Sequence, residues 1–286
     1  MTKMKVGFLH PGDMGISLAA SAQNSGHIAY WVSEGRSRQT HERAAKFGLL
    51  DARDLRELSQ ICSVIVSVCP PEAAEEVANQ VLACSFRGVY LDANAISPQR
   101  AIRMSESMER AGVTFVDGGI IGGPAWKRGT TWLYLSGKEA QRAAGCFSAG
   151  PLETCIMGES IGKSSALKMC YAAYTKGMRA LLYALLATAE ELGVRSELEK
   201  HWAQEGSTHA EEARAGTKSV KGKAWRYVGE MEEIAATFRG AQVPGEFHMA
   251  AAEIYRRVAH FKNAPETPSL EAVLHALLRA EKSRAA

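Results

Sequence analysis

Residues 5–15 read Lys-Val-Gly-Phe-Leu-His-Pro-Gly-Asp-Met-Gly, and this stretch decides the fold. A short apolar run, Lys5–Leu9, ends in a turn carrying Gly12 and Gly15, and a helix-like segment continues to Gly26. Strand, glycine turn and helix in that order are the context of a dinucleotide fingerprint. The turn must bring backbone close to a pyrophosphate, whose charge is favoured by the amide dipoles at a helix start. Gly12 serves the close approach, and Gly15 the packing of helix against strand. His10 stands where the first glycine of the usual triplet is expected. Incidental glycines in an ordinary strand-to-helix turn are the plain alternative. The position at the start of an alternating chain favours cofactor binding, with His10, Pro11, Gly12, Asp13, Met14 and Gly15 as candidates.

Outward from this loop, strand-like runs recur at His27–Ser33, Ser63–Val68, Gly88–Asp92, Thr114–Asp117 and Trp132–Ser136. Gly26, Gly88, Gly112 and Gly137 punctuate them, and the spacing leaves room for crossover helices. The expectation is an α/β, Rossmann-type, doubly wound domain with a parallel sheet covered on both faces. The character changes after Gly162. Lys163–Leu192 holds no proline and a single glycine, Gly177, and reads as one long helix joining the domains. Further helices are expected at Leu198–Glu205, Ala224–Phe238, Phe247–Lys262 and Ser269–Ala280, with breaks at Pro244 and Pro265. The chain thus divides into 1–160, a nucleotide-binding domain, and 161–286, an all-α substrate and dimerisation domain.

At the end of the second strand stand Glu34, Gly35, Arg36, Ser37 and Arg38. An acid there binds the adenosine ribose hydroxyls and selects NAD; arginines accept a 2′-phosphate and select NADP. Two guanidiniums and a hydroxyl outweigh one exposed acid, so NADP is expected ahead of NAD. Cys69, Pro70 and Asn94, after the following strands, complete the candidate cofactor surface.

The 286 residues are 46% hydrophobic and 23% charged, a globular composition with too many apolar residues for disorder. A net charge of +3 from 34 bases and 31 acids is too small for a usual nucleic-acid surface. The apolar run Ala180–Ala189 is far shorter than the ~20 residues of a bilayer helix. It is apolar nearly all round, which implies burial on several sides. The six cysteines form no Cys-x-x-Cys pair, and no signal-peptide core opens the chain. Reduced thiols, no metal and a cytoplasmic setting are expected.

By its motifs the chain resembles the β-hydroxyacid dehydrogenases, a group that includes 6-phosphogluconate and 3-hydroxyisobutyrate dehydrogenases and, more distantly, imine reductases. Lys5–Gly15 looks like their cofactor signature, and Gly35-Arg36-Ser37 looks like the Asn-Arg-Thr element of NADP-preferring members. Asp117-Gly-Gly-Ile-Ile-Gly-Gly-Pro124 resembles their substrate-binding segment. Gly158-x-x-x-Gly162 leading to Lys168 resembles the interdomain helix with the catalytic lysine. The likeness is nearest to a bacterial branch of phosphogluconate-dehydrogenase-like proteins whose C-terminal domain has no settled function. It implies an NADP(H)-dependent oxidoreductase, a homodimer wrapped around the long helix, and a substrate between the domains. Three positions depart from the pattern: His10, Ile121 in place of a serine, and Tyr171 in place of an asparagine. With those polar groups gone, a carbonyl or imine with an apolar body fits Ile121, Trp126 and Trp132 as well as a small hydroxy acid does. Gly122 and Gly123 still offer backbone amides to an anion.

On a helix beginning near Lys163, Lys168, Tyr171 and Thr175 share one face, with Lys176 at its edge. Carbonyl reduction needs a proton donor as the hydride arrives, and alcohol oxidation needs the same group as acceptor. Lys168 fills that role by resemblance; by spacing alone, a lysine snorkelling from a packed helix is the better reading. Tyr171 is the second candidate, and imine reduction or a non-catalytic NADP-binding regulator are the rival functions. Further on, Trp225, Arg226, Glu230, Glu233 and His248 form a cluster in which Arg226 and Glu230 suggest an i, i+4 ion pair and Glu230 and Glu233 share a face. Lys218–Arg226 suggests a solvated basic loop whose aromatic neighbours are Trp225 and Tyr227.

Overall fold

The computed structural model describes residues 3–279, so Ala280, the end of the last expected helix, lies outside the described residues. The chain forms two compact units, Met1–Met169 and Cys170–Ala286, dividing within a helix rather than at the glycine-rich lead-in to it.

The first unit is an eight-stranded sheet. Its strands are β1 (Lys5–Phe8), β2 (Ile28–Trp31), β3 (Leu50–Asp51), β4 (Val64–Ser67), β5 (Val89–Asp92), β6 (Thr114–Gly122), β7 (Thr131–Ser136) and β8 (Glu153–Ile156). They lie in the order β3-β2-β1-β4-β5-β6-β7-β8. The first six strands are mutually parallel. β7 runs back antiparallel to β6, and β8 is parallel to β7, so the expected all-parallel sheet ends in a reversed pair. Helices α1 (Asp13–Asn24), α2 (Arg38–Lys46), α3 (Leu55–Ile61), α4 (Ala74–Ala83), α5 (Pro98–Arg110) and α6 (Ala140–Gly145) connect the strands.

Strand periodicity splits the core into two faces. Val64, Val66, Leu91 and Val116 pack with Ile16 and Leu18 of α1 on one side. Ile65, Tyr90 and Phe115 pack with Leu58, Val81 and Met108 on the other. Each such side chain contributes about 1.5–3 kcal/mol when fully buried. The order reverses between β1 and β4, so the turns after these strands open on a topological switch point, where α/β sheets bind ligands.

β6 runs five residues past Asp117, the expected strand end, because its glycines are wanted by packing rather than by turns. A Cβ on Gly118 would lie 2.8 Å from the Asp92 carbonyl oxygen, and one on Gly119 would lie 2.5 Å from that of Ser164.

The second unit is helical: the rest of α7 (Lys163–Glu191), then α8 (Arg195–Gln204), α9 (His209–Gly240), α10 (Glu246–Val258) and α11 (Leu270–Arg279). The expected basic loop is instead helix. Ala213, Thr217, Val220 and Ala224 form a buried stripe along α9, and the lysines occupy its outer side. No helix among the described residues is long and apolar enough to cross a membrane.

Candidate functional site

At the switch point, Gly12 caps α1 without any side-chain hydrogen bond, so the helix start offers its amides outward. The space where a Gly12 Cβ would project is open to 4 Å, whereas a Gly15 Cβ would strike the His10 carbonyl oxygen at 2.1 Å. One glycine therefore leaves room for a ligand and the other for the helix. Arg43 of α2 fixes the loop by donating to the Pro11 carbonyl at 3.3 Å and to Asp13 Oδ1 at 2.9 Å. Nothing local in the sequence signals that role. These residues fit a dinucleotide phosphate.

His10 Nδ1 and Arg36 Nε are buried without a hydrogen-bond partner. Burial, with Arg36 beside it, lowers the His10 pKa to about 4, so its imidazole is neutral. Ser37 caps α2 through the Thr40 amide, and Arg38 turns away to Glu42 at 2.8 Å. Of the two arginines expected to form a phosphate cradle, only Arg36 faces the loop; Glu34 is exposed.

Asn94 braces the turn beside it. Its Oδ1 accepts from the Cys69 amide at 2.6 Å, and its Nδ2 donates to Asp92 Oδ2 at 2.8 Å and Ser67 Oγ at 3.2 Å. It thereby shapes the Cys69–Pro70 turn. Burial pushes the Cys69 thiol pKa up to about 12, so the thiol stays protonated.

The glycine-rich segment that begins at Asp117 and the lysine come together in the first unit. Asp117, 1% exposed, places its Oδ2 against the amides of Gly162, Ser164 and Ser165 at 3.0, 3.1 and 3.1 Å. Hydroxyls of Ser136 (2.9 Å to Oδ2) and Ser165 (2.6 Å to Oδ1) complete this cap on α7. Sequence reading takes Asp117 only as the head of a glycine-rich segment; its partners lie 19–48 residues away. With α7 so anchored, Lys168 Nζ donates to the Ile120 carbonyl at 2.5 Å. Side chains alternate along β6, and Gly119 faces Lys168, so Ile121 points to that same face beside its cross-strand neighbour Trp132. Gly122, at φ +117°, would put a Cβ 2.1 Å from the Thr130 carbonyl oxygen, so only glycine serves there. A Cβ on Gly123 would meet nothing within 4 Å.

Trp126 does not join this group. It stacks on Phe47 with ring centroids 5.1 Å apart, on the side of α1 and α2. The cause is the loop path, tied down where the Ala125 amide donates to Ser17 Oγ at 2.9 Å. One and two turns beyond Lys168, Tyr171 is exposed, and Thr175 Oγ1 donates to the Tyr171 carbonyl at 3.2 Å.

In the second unit, Glu230 pairs with Lys176, not with Arg226 as the helix spacing suggests. Both partners are largely buried, and the Lys176 ammonium lies 4.8 Å from the Tyr227 ring centroid. Arg226 rests on Trp225 instead. His248 sits between Phe238 and Phe247 with a lowered pKa caused by burial. Among the described residues no group of acids, histidines and cysteines is arranged to hold a metal.

Residues 5–146 match the family model for the NAD binding domain of 6-phosphogluconate dehydrogenase, and residues 189–258 match DUF1932, a domain of unknown function. An uncharacterized 28.5 kDa protein of Methanothermus fervidus is 29% identical over 196 residues, covering 68% of this chain and 74% of that one. The uncharacterized oxidoreductase YkwC of Bacillus subtilis is 26% identical over 207 residues, covering 68% and 69%. A solved 3-hydroxyisobutyrate dehydrogenase of Mycobacterium tuberculosis superposes with a TM-score of 0.69 over 98% of this chain and 100% of that one. At 18% identity, that likeness is one of fold.

Proposed function

The chain belongs to the 6-phosphogluconate dehydrogenase-like NAD-binding proteins that carry a DUF1932 domain, and from that premise we propose an NADP(H)-dependent oxidoreductase of the β-hydroxyacid dehydrogenase type. One observation carries the reading: Lys168 Nζ held on the Ile120 carbonyl, beside the strand end Ile121–Gly122 and the Gly123 that follows it. The cofactor residues are the 10–15 loop, Arg36 and the Cys69–Pro70 turn braced by Asn94. The nicotinamide, when bound, supplies or takes up the hydride.

The protein's part is the proton and the fit. An ammonium carries three donors, and the Ile120 carbonyl fixes the direction of one. From that anchored position Lys168 gives a proton to a carbonyl oxygen during reduction, and in oxidation its neutral form takes the alcohol proton. Ile121 and Trp132 give the substrate an apolar wall, and the Gly122–Gly123 backbone allows close approach. That wall also favours the second reading, reduction of a C=N bond. The exposed stripe Tyr171, Tyr174, Met178, Leu181 and Leu185 on α7 supports a homodimer, since the run expected to be buried all round leaves two leucines uncovered.

Titration of NADPH and NADH by fluorescence, followed by NADPH consumption against aldehydes, ketones, semialdehydes and cyclic imines, tests the proposal. NADPH binds more tightly, and at least one class is reduced. Tight NADPH binding with no turnover on any class sinks the enzyme reading in favour of a regulator.

A further inference from the structure

Four residues around Arg36, namely Glu34, Gly35, Ser37 and Arg38, are exposed, while Arg36 itself folds inward. Its neighbours there are the His10 imidazole and the Cys69 thiol, and among the described residues no carboxylate forms an ion pair with it. Partly burying a guanidinium costs solvation that neither neighbour returns, because both are neutral. The cost shows as a lowered Arg36 pKa, caused first by burial. An anion at this place would restore the balance. His10 Nδ1 is the second unpartnered buried nitrogen at the same place, and it comes from a different loop.

We propose that His10 is a specificity-determining residue that, with Arg36, forms a two-sided receptor for the phosphate on the cofactor's adenosine ribose. The inference rests on the dinucleotide reading above and adds a residue to it. A neutral imidazole carries one N–H, so it donates to a phosphate oxygen without competing with the arginine for charge. Arg36 supplies the charge, and the histidine supplies a second, directional donor. The ribose hydroxyl of NADH offers nothing comparable for the pair to hold. A histidine in place of the fingerprint's first glycine thus becomes part of the cofactor preference.

The test is equilibrium binding of NADPH and NADH to the full chain for wild type, His10→Gly, His10→Asn and Arg36→Ala, with a thermal melt of each. Losing a hydrogen bond to a charged group weakens binding on the order of ten- to a hundredfold. His10→Gly therefore weakens NADPH by about tenfold or more and leaves NADH nearly unchanged. His10→Asn, which keeps a donor near the Nδ1 position, retains the wild-type ratio of the two affinities. In the Arg36→Ala background, the effect of His10→Gly on NADPH shrinks, as for two contacts on one group. Equal losses for both cofactors in His10→Gly, or no loss for either, overturn the proposal while the dinucleotide reading stands. Failure of the wild type to bind either cofactor overturns both.

Discussion

Replacing Asp117 tests how the lysine is held. The carboxylate sits at the start of α7, where three helix amides and two serine hydroxyls converge on it. In Asp117→Asn the remaining oxygen can occupy the Oδ2 position, while the new amide faces Ser165 Oγ, which can rotate to accept. What disappears is charge. Hydrogen bonds to charged groups are worth about 1.5–3 kcal/mol against about 0.5–1.5 for neutral ones. A charge at a partly buried helix end adds up to about 2 kcal/mol. The Asn variant should therefore lose about 2 kcal/mol. Asp117→Ala strands the buried amides of Gly162 and Ser165 at about 1–3 kcal/mol each, while the Ser164 amide keeps Ser136 Oγ at 3.3 Å, so about 2 kcal/mol is its lower bound. Urea unfolding near neutral pH reads both, and amide exchange over residues 162–168 should quicken in both variants. An Ala variant within about 0.5 kcal/mol of wild type refutes the cap, that being the range of neutral surface changes.

Beside Asp117 on the neighbouring strand, burial pushes the Asp92 pKa up to about 7, with the Asn94 hydrogen bonds opposing and Asp117 adding to the shift. Its native pKa lies above the unfolded value of about 3.9, so its contribution to stability grows as pH falls from about 7 toward 4. Unfolding curves for wild type and Asp92→Asn should thus move apart in favour of wild type on acidification; a pH-independent difference contradicts the assignment. The nucleotide loop gives a paired prediction. Gly15→Ala places a methyl group 2.1 Å from the His10 carbonyl oxygen, costs at least about 1–3 kcal/mol, and abolishes NADPH binding. Gly12→Ala meets nothing within 4 Å, so it should melt near wild type while NADPH binding weakens. A Gly15→Ala protein with wild-type melting and binding contradicts the loop assignment.

What the sequence made legible was local. Val64–Ser67 and Val89–Asp92 announce themselves as short apolar strands because a parallel sheet buries both faces. Leu50–Asp51, two exposed residues, and Glu153–Ile156, a half-buried edge strand, carry no such pattern. The basic stretch of α9 reads as a loop because its helical signal lies in small buried residues rather than in large apolar ones. Gly216 is there because a Cβ would lie 2.6 Å from the Tyr183 hydroxyl oxygen. The glycine loop and Lys168 are visible as motifs. The Asp117 cap, the Arg43 tether and the Lys176–Glu230 pair join residues far apart in the chain, and only the fold brings them together. Nearness in sequence alone places Trp126 in the lysine's neighbourhood. The turn after Gly123 carries it to Phe47 instead.

The most direct measurement is steady-state NADPH oxidation by wild type and Lys168→Met at saturating cofactor, on whichever carbonyl or imine the wild type reduces. The methionine chain fills similar space without charge, so folding and NADPH affinity should hold. If Lys168 supplies the proton from its seat on the Ile120 carbonyl, turnover falls by roughly the 10²–10⁴-fold that general acid–base catalysis contributes. Near-normal turnover in Lys168→Met, with Tyr171→Phe inactive, would contradict the account and move the proton to the tyrosine.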